Sequence, residues 1–159
     1  MADFVGLRDI ASYITPVSAS AVTAITAGAA AAAVTGATID RVALGLPQTL
    51  VFLFQSSAKL TASATLSLNS LQFQTSPDGA TWTDYVDPYR AGIASPGAVS
   101  TGPVGGGTVA GVTPVEVYVA SSDQYFRAVF TPALSATTSD TATIMVAAIA
   151  AGFAHNPAP

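Results

Sequence analysis

The residues of this chain that could do chemistry are few and widely spaced. Asp84 and Asp87 flank Tyr85 shortly after Trp82, and carboxylates beside aromatic rings are typical of sugar-cleaving and sugar-binding sites. On a strand, however, positions 84 and 87 face opposite sides, whereas glycoside cleavage needs two carboxylates that oppose each other across the bond. The pattern therefore favours two structural carboxylates, with Asp87-Pro88 ending a strand.

Patterns for other kinds of catalysis and for metal binding are weak. His155, the single histidine, lies close to the C-terminal end, where the fixed geometry of a Ser-His-Asp triad is rarely available. Oxygens of Asp78, Asp84 and Asp87 could bind calcium, but no spaced calcium loop matches them. Glycines 105–107 lack the Lys-Ser/Thr that follows a phosphate-binding loop. We predict that the protein is not an enzyme and holds no cofactor or metal.

The most sharply patterned stretch reads SPDGATW. It fits a type I turn, because Pro77 presets φ at the second turn position, Asp78 suits the third, and Gly79 accepts a positive φ. The chain would then run back antiparallel to the preceding strand, with Trp82 or its neighbour covering Phe73. We predict a structural hairpin rather than a binding site, formed by Ser76, Pro77, Asp78, Gly79 and Trp82.

Composition points to a protein that is covered by other subunits. The 159 residues suffice for one domain with a core. Half of them are hydrophobic and only 9% are charged, whereas about 25% is usual. So few charges would leave a free monomer poorly soluble, so we expect much of the surface to contact other chains.

The charge pattern and the absence of cysteine exclude several classes of protein. The basic residues are scattered singly, so no stripe neutralises phosphates and we predict no binding of nucleic acid. Disulfide scaffolds and cysteine-based metal or redox sites are excluded because the chain has no cysteine. The five scattered basic residues of the chain are Arg8, Arg41, Lys59, Arg90 and Arg127.

No segment predicts insertion into a membrane or export. Residues 19–34 are mostly Ala and Thr and include Gly28, short of the roughly 20 strongly apolar residues of a membrane span. The early charges Asp3, Arg8 and Asp9 do not match a secretory signal. We therefore expect no membrane association and a protein that is used where it is made.

Alternation of apolar and polar residues dominates the chain and predicts strands. Leu66 and Leu68 fall out of phase with Leu71 and Phe73, which predicts a β-bulge near residues 69–70. Residues 115–119 and 125–129 alternate on either side of a turn, and we predict that they form a hairpin with one wet face.

Four further segments are assigned from their amino-acid composition. Residues 49–55 form an apolar run that predicts a strand buried on both faces. Residues 141–151 are similar but Ala-rich, so a short helix is the alternative, and residues 19–34 are predicted to be extended. Residues 91–114 are rich in Gly, Pro, Ser and Ala without periodicity, which predicts a long surface loop.

Together these elements predict an all-β domain, a single β-sandwich or jelly-roll-like fold. Residues 1–34 are expected to form an N-terminal arm and Ala-rich segment that packs on the domain or on neighbours. Residues 35–154 form the sandwich with its loop 91–114, and residues 155–159 form a tail.

The order of several short motifs resembles that of small virion proteins of tailed bacteriophages. The motifs are TGATIDR from residue 35, LQFQTSPDGATWTDY from residue 71, SSDQYFRAVFT from residue 121 and the closing GFAHNPAP. Several such proteins decorate the capsid. The resemblance implies a cement protein that is made in the host cytoplasm, joins the virion surface and binds the major capsid protein.

The resemblance also implies a homo-oligomer, and a trimer is favoured because capsid lattices offer threefold positions. Two alternatives remain open. One is another virion subunit, such as a tail-tube, connector or fibre protein. The other is a carbohydrate-binding module that stacks sugars on Trp82, Tyr85 and Tyr89, which requires these rings to be exposed to solvent.

Overall fold

Two antiparallel sheets pack face to face in the computed structural model, as the predicted β-sandwich requires. The structure describes residues 14–18, 20–29, 31–89, 95–136 and 138–153, and these contain no helix. The first sheet, sheet A, has the strand order β1-β11-β5-β9, and β2 also pairs with β11. Its strands are β1 (Ile14–Ser18), β2 (Thr23–Thr26), β5 (Pro47–Leu60), β9 (Gly107–Tyr118) and β11 (Thr141–Phe153).

The second sheet, sheet B, has the order β3-β10-β6-β7, with β4 added to β10 and β8 to β6. Phenylalanines from both sheets fill the core between them. The Phe52 and Phe73 rings lie 4.9 Å apart between centroids, and those of Phe54 and Phe130 lie 5.3 Å apart. The strands of sheet B are β3 (Val34–Thr35), β4 (Ile39–Asp40), β6 (Thr65–Ser76), β7 (Thr83–Tyr85), β8 (Gly97–Thr101) and β10 (Tyr125–Leu134).

The predicted bulge is confirmed at Asn69. Ser70 pairs with Thr131 but Leu68 pairs with Pro132, so β6 carries one extra residue between them. Leu66 and Leu68 before the bulge and Leu71 and Phe73 after it are all buried. The bulge therefore keeps both halves of the out-of-phase pattern facing the core.

β11 confirms the strand predicted over residues 141–151, and the alternative helix is wrong. Its even-numbered residues from Ala142 to Ala150 are buried, and its odd-numbered residues face outward. Pairing with β5 along the whole strand outweighs the helix propensity of alanine, because the alternate residues fill the core.

The predicted burial of residues 49–55 on both faces is wrong. They belong to the longer strand β5, in which Leu50, Phe52 and Phe54 are buried while Val51 and Leu53 are only half-buried. An apolar run gives a strand that is apolar on both faces, but only one face of sheet A meets sheet B.

The hairpin predicted from residues 115–119 and 125–129 is wrong. β9 pairs with β5 in sheet A, whereas β10 pairs with β6 in sheet B. The turn between them crosses from one sheet to the other. Val117 and Phe126 then face the core from opposite sides, which buries more apolar surface than a hairpin with one wet face.

The loop predicted over residues 91–114 is also wrong for most of its described length. Residues 97–101 form β8, residues 107–114 form the first part of β9, and only a short turn joins them. Glycine and proline are tolerated here because β8 and β9 each pair on one side only.

Most of the described part of the N-terminal segment belongs to sheet A. β1 and β2 both pair antiparallel with β11, and the extended conformation predicted for residues 19–34 is found in β2 and at the start of β3. Residues 1–13 and the C-terminal residues 154–159, including His155, lie outside the described residues.

Candidate interaction surface

The SPDGATW hairpin is held together by hydrogen bonds within the turn. The Oδ1 atom of Asp78 accepts hydrogen bonds from the N–H groups of Ala80 and Thr81, at 2.9 and 2.8 Å. Ser76 Oγ donates to the same oxygen and accepts from the N–H of Gly79, whose φ is +73°. All of these hydrogen bonds are made within the turn, which favours a structural role for the turn over a binding site.

The same bonds explain the acidity of Asp78. Hydrogen bonds from the backbone of Thr81 and Ala80, and from Ser76, stabilise the ionised carboxylate and hold its pKa well below the ordinary value. The hairpin therefore depends on Asp78 being charged.

The three aromatic residues of the carbohydrate hypothesis do not form one platform. Tyr85, not Trp82, lies opposite Phe73, and its hydroxyl donates to the carbonyl of Tyr118 at 2.7 Å. The ring of Trp82 is covered by the guanidinium of Arg127, 3.9 Å from its centroid. Tyr89 is exposed. The covered ring of Trp82 and the hydrogen-bonded hydroxyl of Tyr85 favour structural roles for these two residues.

The carboxylates singled out by the sequence also have separate structural roles. Asp84 accepts a hydrogen bond from the side-chain amide of Gln74, and buried Asp87 accepts from the backbone N–H groups of Tyr89 and Tyr118. In the described part of the chain, no three acidic or histidine side chains gather into a group that could hold a metal ion. The calcium hypothesis therefore lacks a formed site in these residues.

The outer face of sheet A is the most unusual surface of the molecule. Pairing across the sheet places Pro114, Leu53 and Ala147 in one row. Val51, Ile149 and Pro16 share the next row, with Glu116 at its end. We call the apolar residues of this surface the apolar face: Ile14, Pro16, Val51, Leu53, Val112, Pro114, Met145, Ala147, Ile149 and Ala151.

The apolar face is open to solvent. Val112 is 60% exposed and Met145 is 37% exposed, and the central residues Val51, Leu53 and Ile149 are half-buried by their neighbours in the sheet. No described element packs over them. Four strands at about 4.8 Å spacing and seven residues at about 3.3 Å give a surface of roughly 400 Å², in which the polar residues Thr49, Gln55 and Glu116 lie beside the apolar ones. A patch of this size on a monomer is often functional.

The outer face of sheet B is polar by contrast. Arg127 donates from Nε and Nη2 to Gln74 Oε1, at 2.9 and 2.7 Å, and Ser70 donates to Thr131 at 2.9 Å. These side chains satisfy one another across neighbouring strands, as cross-strand polar pairs do. The sandwich is therefore two-sided, with one apolar outer face and one polar outer face.

The edge strands of sheet A are poorly suited to pairing with a further strand. Proline lies in both outer strands, Pro16 in β1 and Pro114 in β9. A proline has no backbone N–H to donate, and its presence on an edge strand discourages edge-to-edge pairing.

The sequence carries a sign of the apolar face, but periodicity alone does not say whether such a face is buried in the fold or exposed. Residues 49–55 and 141–151 are continuously apolar, which implies apolar side chains on both sides of adjacent strands. Burial under a second layer and exposure at an interface give the same sequence pattern. The low charge of the chain was the observation that favoured an interface.

Comparisons with known proteins identify no relative. No family model matches the chain, and no curated protein or solved structure matches it. The described residues include no helix that is long and apolar enough to cross a membrane. The function is therefore proposed from the surface chemistry of the sandwich and from the order of its sequence motifs.

Proposed function

We propose that this protein is a non-enzymatic structural virion protein that binds the outer surface of a phage capsid and stabilises it. The observation that carries the proposal is the difference between its two outer faces, apolar on sheet A and polar on sheet B. A decoration protein needs one surface that is buried against the shell and another that stays in water. The order of motifs that resembles small phage virion proteins supports the same assignment.

The chemistry of the apolar face suits a protein partner. It has one charged residue at its rim, Glu116, and its centre is aliphatic. The fully buried centres of protein interfaces are likewise depleted in charge. About 400 Å² is half of what one partner contributes to an interface of standard size, so the surrounding polar residues would form the rim.

The proposed partner is the major capsid protein, and the proposed location is the virion surface. Many copies bound to a repeating shell would stabilise it through contacts that are weak individually. A homo-oligomer, with a trimer favoured at threefold positions of the lattice, belongs to the same proposal. Neither nucleic acid nor a membrane is required as a partner.

Co-sedimentation with empty capsids tests this proposal. Leu53→Glu and Ile149→Glu place a carboxylate at the centre of the apolar face, where burial of an unpaired charge would abolish most of the binding. Gln72→Glu is the matched control, because Gln72 is exposed on the outer face of sheet B. This variant should bind as the wild type does. Capsids carrying the wild-type protein should also rupture at a higher temperature than bare capsids.

Two results would contradict the proposal. One is binding of Leu53→Glu to capsids as strong as that of the wild type. The other is a wild-type protein that neither sediments with capsids nor changes their rupture temperature. If the wild type instead bound purified tails through the same residues, the alternative of a tail-tube, connector or fibre subunit would replace decoration.

A further inference from the structure

Arg41 is a buried cation that uses only part of its hydrogen-bonding capacity. It is 4% exposed. Nη1 donates to the carbonyls of Ser122 and Asp123, and Nη2 donates to that of Pro47 at 3.4 Å. Its Nε is buried and has no hydrogen-bond partner among the described residues. A buried donor without an acceptor is costly, so this one points to an acceptor that comes from outside the described chain.

The charge of Arg41 also lacks a partner in the described part of the chain, where its hydrogen bonds go to backbone carbonyls and to no acidic side chain. Asp123 attracts the guanidinium, but its carboxylate accepts from Thr75 Oγ1. The carboxylate of Asp40 accepts from two N–H groups of its own turn and from the side chain of Gln124. Carbonyls solvate the guanidinium but supply no counter-charge, which a buried cation usually has.

Arg41 lines a depression of about 340 Å³ at one end of the sandwich, where the turn after β4 meets the crossing from β9 to β10. Two exposed apolar side chains stand at its rim, Val42 at 54% and Leu46 at 38% exposure. Leu46 has a left-handed φ of +56°, a conformation that is strained for a residue other than glycine and that clusters at functional sites. The depression therefore combines a buried cation with an apolar rim.

We propose that this depression binds a carboxylate carried on a short aliphatic chain, with Arg41 as its counter-ion. Nε and Nη2 lie along one edge of the guanidinium, and a carboxylate binds such an edge through two parallel hydrogen bonds. The aliphatic part of the ligand contacts Val42 and Leu46. Because Nε is buried in the free protein, binding includes a shift of the rim that admits the carboxylate.

The electrostatics of the depression favour an anion although Asp123 also lines it. Asp123 is exposed, so water and salt screen its charge. Arg41 is buried, and charges interact more strongly where the effective dielectric constant is lower. The attraction by Arg41 therefore outweighs the repulsion by Asp123. An acidic side chain of a protein and a small organic acid share the chemistry that this site recognises.

Nuclear magnetic resonance of the full chain labelled with ¹⁵N-arginine tests the proposal, because Arg41 shares the spectrum with only Arg8, Arg90 and Arg127. The probes are isovalerate and a glutamate-containing peptide with blocked ends. We expect either probe to shift the Nε–H resonance of Arg41 to saturation. Isovaleramide, which keeps the shape of isovalerate without its charge, should leave the resonance in place, as should sodium chloride. A tighter response to the peptide identifies a protein side chain as the ligand, and a tighter response to isovalerate identifies a small acid.

Val42→Asp places a second carboxylate at the rim and should weaken carboxylate binding by about fivefold or more, because like charges repel. Val104→Asp is the matched control, since Val104 is fully exposed and does not line the depression, and it should bind as the wild type does. Arg41→Lys, which lacks Nε, assigns the resonance. If this variant does not fold, contacts of the Nε–H with neighbouring protons assign it in the wild type.

Three results would overturn the proposal: no shift of the Arg41 resonance with either carboxylate, an equal shift with isovaleramide or chloride, or wild-type affinity in Val42→Asp. The inference goes beyond the proposed function, because none of its residues belongs to the apolar face. Binding of carboxylates and binding to capsids therefore succeed or fail separately.

Discussion

At the scale of single residues, polar side chains in this protein mainly serve the backbone. Arg41 is buried, and its guanidinium donates to the carbonyls of Ser122, Asp123 and Pro47. Burial lowers the pKa of its guanidinium, and the carbonyls compensate by solvating the charge. Arg41 thereby ties the turn after β4 to the crossing between β9 and β10. Its sequence position gave no sign of this role.

Asp78 gives a prediction for stability at low pH. Because its pKa is lowered in the folded protein, its contribution to stability is complete above the pKa of an unfolded aspartate, about 4. The contribution is lost as the pH falls below that value toward the folded pKa. Asp78→Ala should therefore melt at a lower temperature than the wild type at pH 7, and the difference should shrink between pH 4 and pH 2.

Thermal unfolding followed by circular dichroism measures this difference. Asp84→Ala is the control, because the exposed carboxylate of Asp84 accepts a hydrogen bond from the side chain of Gln74 and not from the backbone of a turn. The melting temperature of this variant should fall less at pH 7. A difference between Asp78→Ala and the wild type that stays constant from pH 7 to pH 2 would show that the charge of Asp78 does not hold the hairpin.

At the scale of elements, the aromatic residues of β5, β6 and β10 join the two sheets. Phe52 in β5 lies 4.9 Å from Phe73 in β6 and 6.3 Å from Phe126 in β10, between ring centroids. Phe73 and Phe126 stack at 5.7 Å, and Tyr85 meets Phe126 edge-on at 5.2 Å. The bulge at Asn69 is what places Phe73 in this cluster.

Phe52→Ala should cost about 3–5 kcal/mol in the free energy of unfolding, because it removes a fully buried ring and leaves a cavity between the sheets. Urea denaturation measures the loss. Val104→Ala is the matched control in a fully exposed turn and should change stability by less than about 0.5 kcal/mol. A loss below about 1 kcal/mol for Phe52→Ala would mean that the two sheets are not joined by this cluster.

At the scale of the whole molecule, the sandwich has two unlike outer faces and edges that discourage pairing. The proposed association would therefore use the face of sheet A rather than its edges. The proposed function therefore predicts a fixed orientation, in which sheet A meets the shell and sheet B remains in water.

Single cysteines test this orientation, since the natural chain has none. Met145→Cys lies on the apolar face and Gln72→Cys on sheet B, and both positions are exposed in the free protein. On capsid-bound protein, a maleimide should label Met145→Cys much more slowly than in free protein and label Gln72→Cys at a nearly unchanged rate. Slow labelling of Gln72→Cys together with rapid labelling of Met145→Cys would contradict the proposed orientation.

The sequence by itself determined the local features of this protein. Alternation predicted the strands and the bulge at Asn69, and turn chemistry placed Gly79 at a positive φ, because these depend on neighbours along the chain. The low charge predicted a covered surface, and this stays a prediction. The prediction of the SPDGATW hairpin used only local requirements of a turn and needed no information about distant partners.

Only the tertiary structure decided which strands pair and which faces are covered. Pairing of β9 with β5 instead of β10 joins residues about 60 positions apart, and periodicity carries no information about such partners. Alternation in residues 107–114 was hidden by glycine and proline, which an edge strand tolerates. The apolar face became visible only when β5 and β11 lay side by side, because an apolar run does not specify whether a second layer covers it.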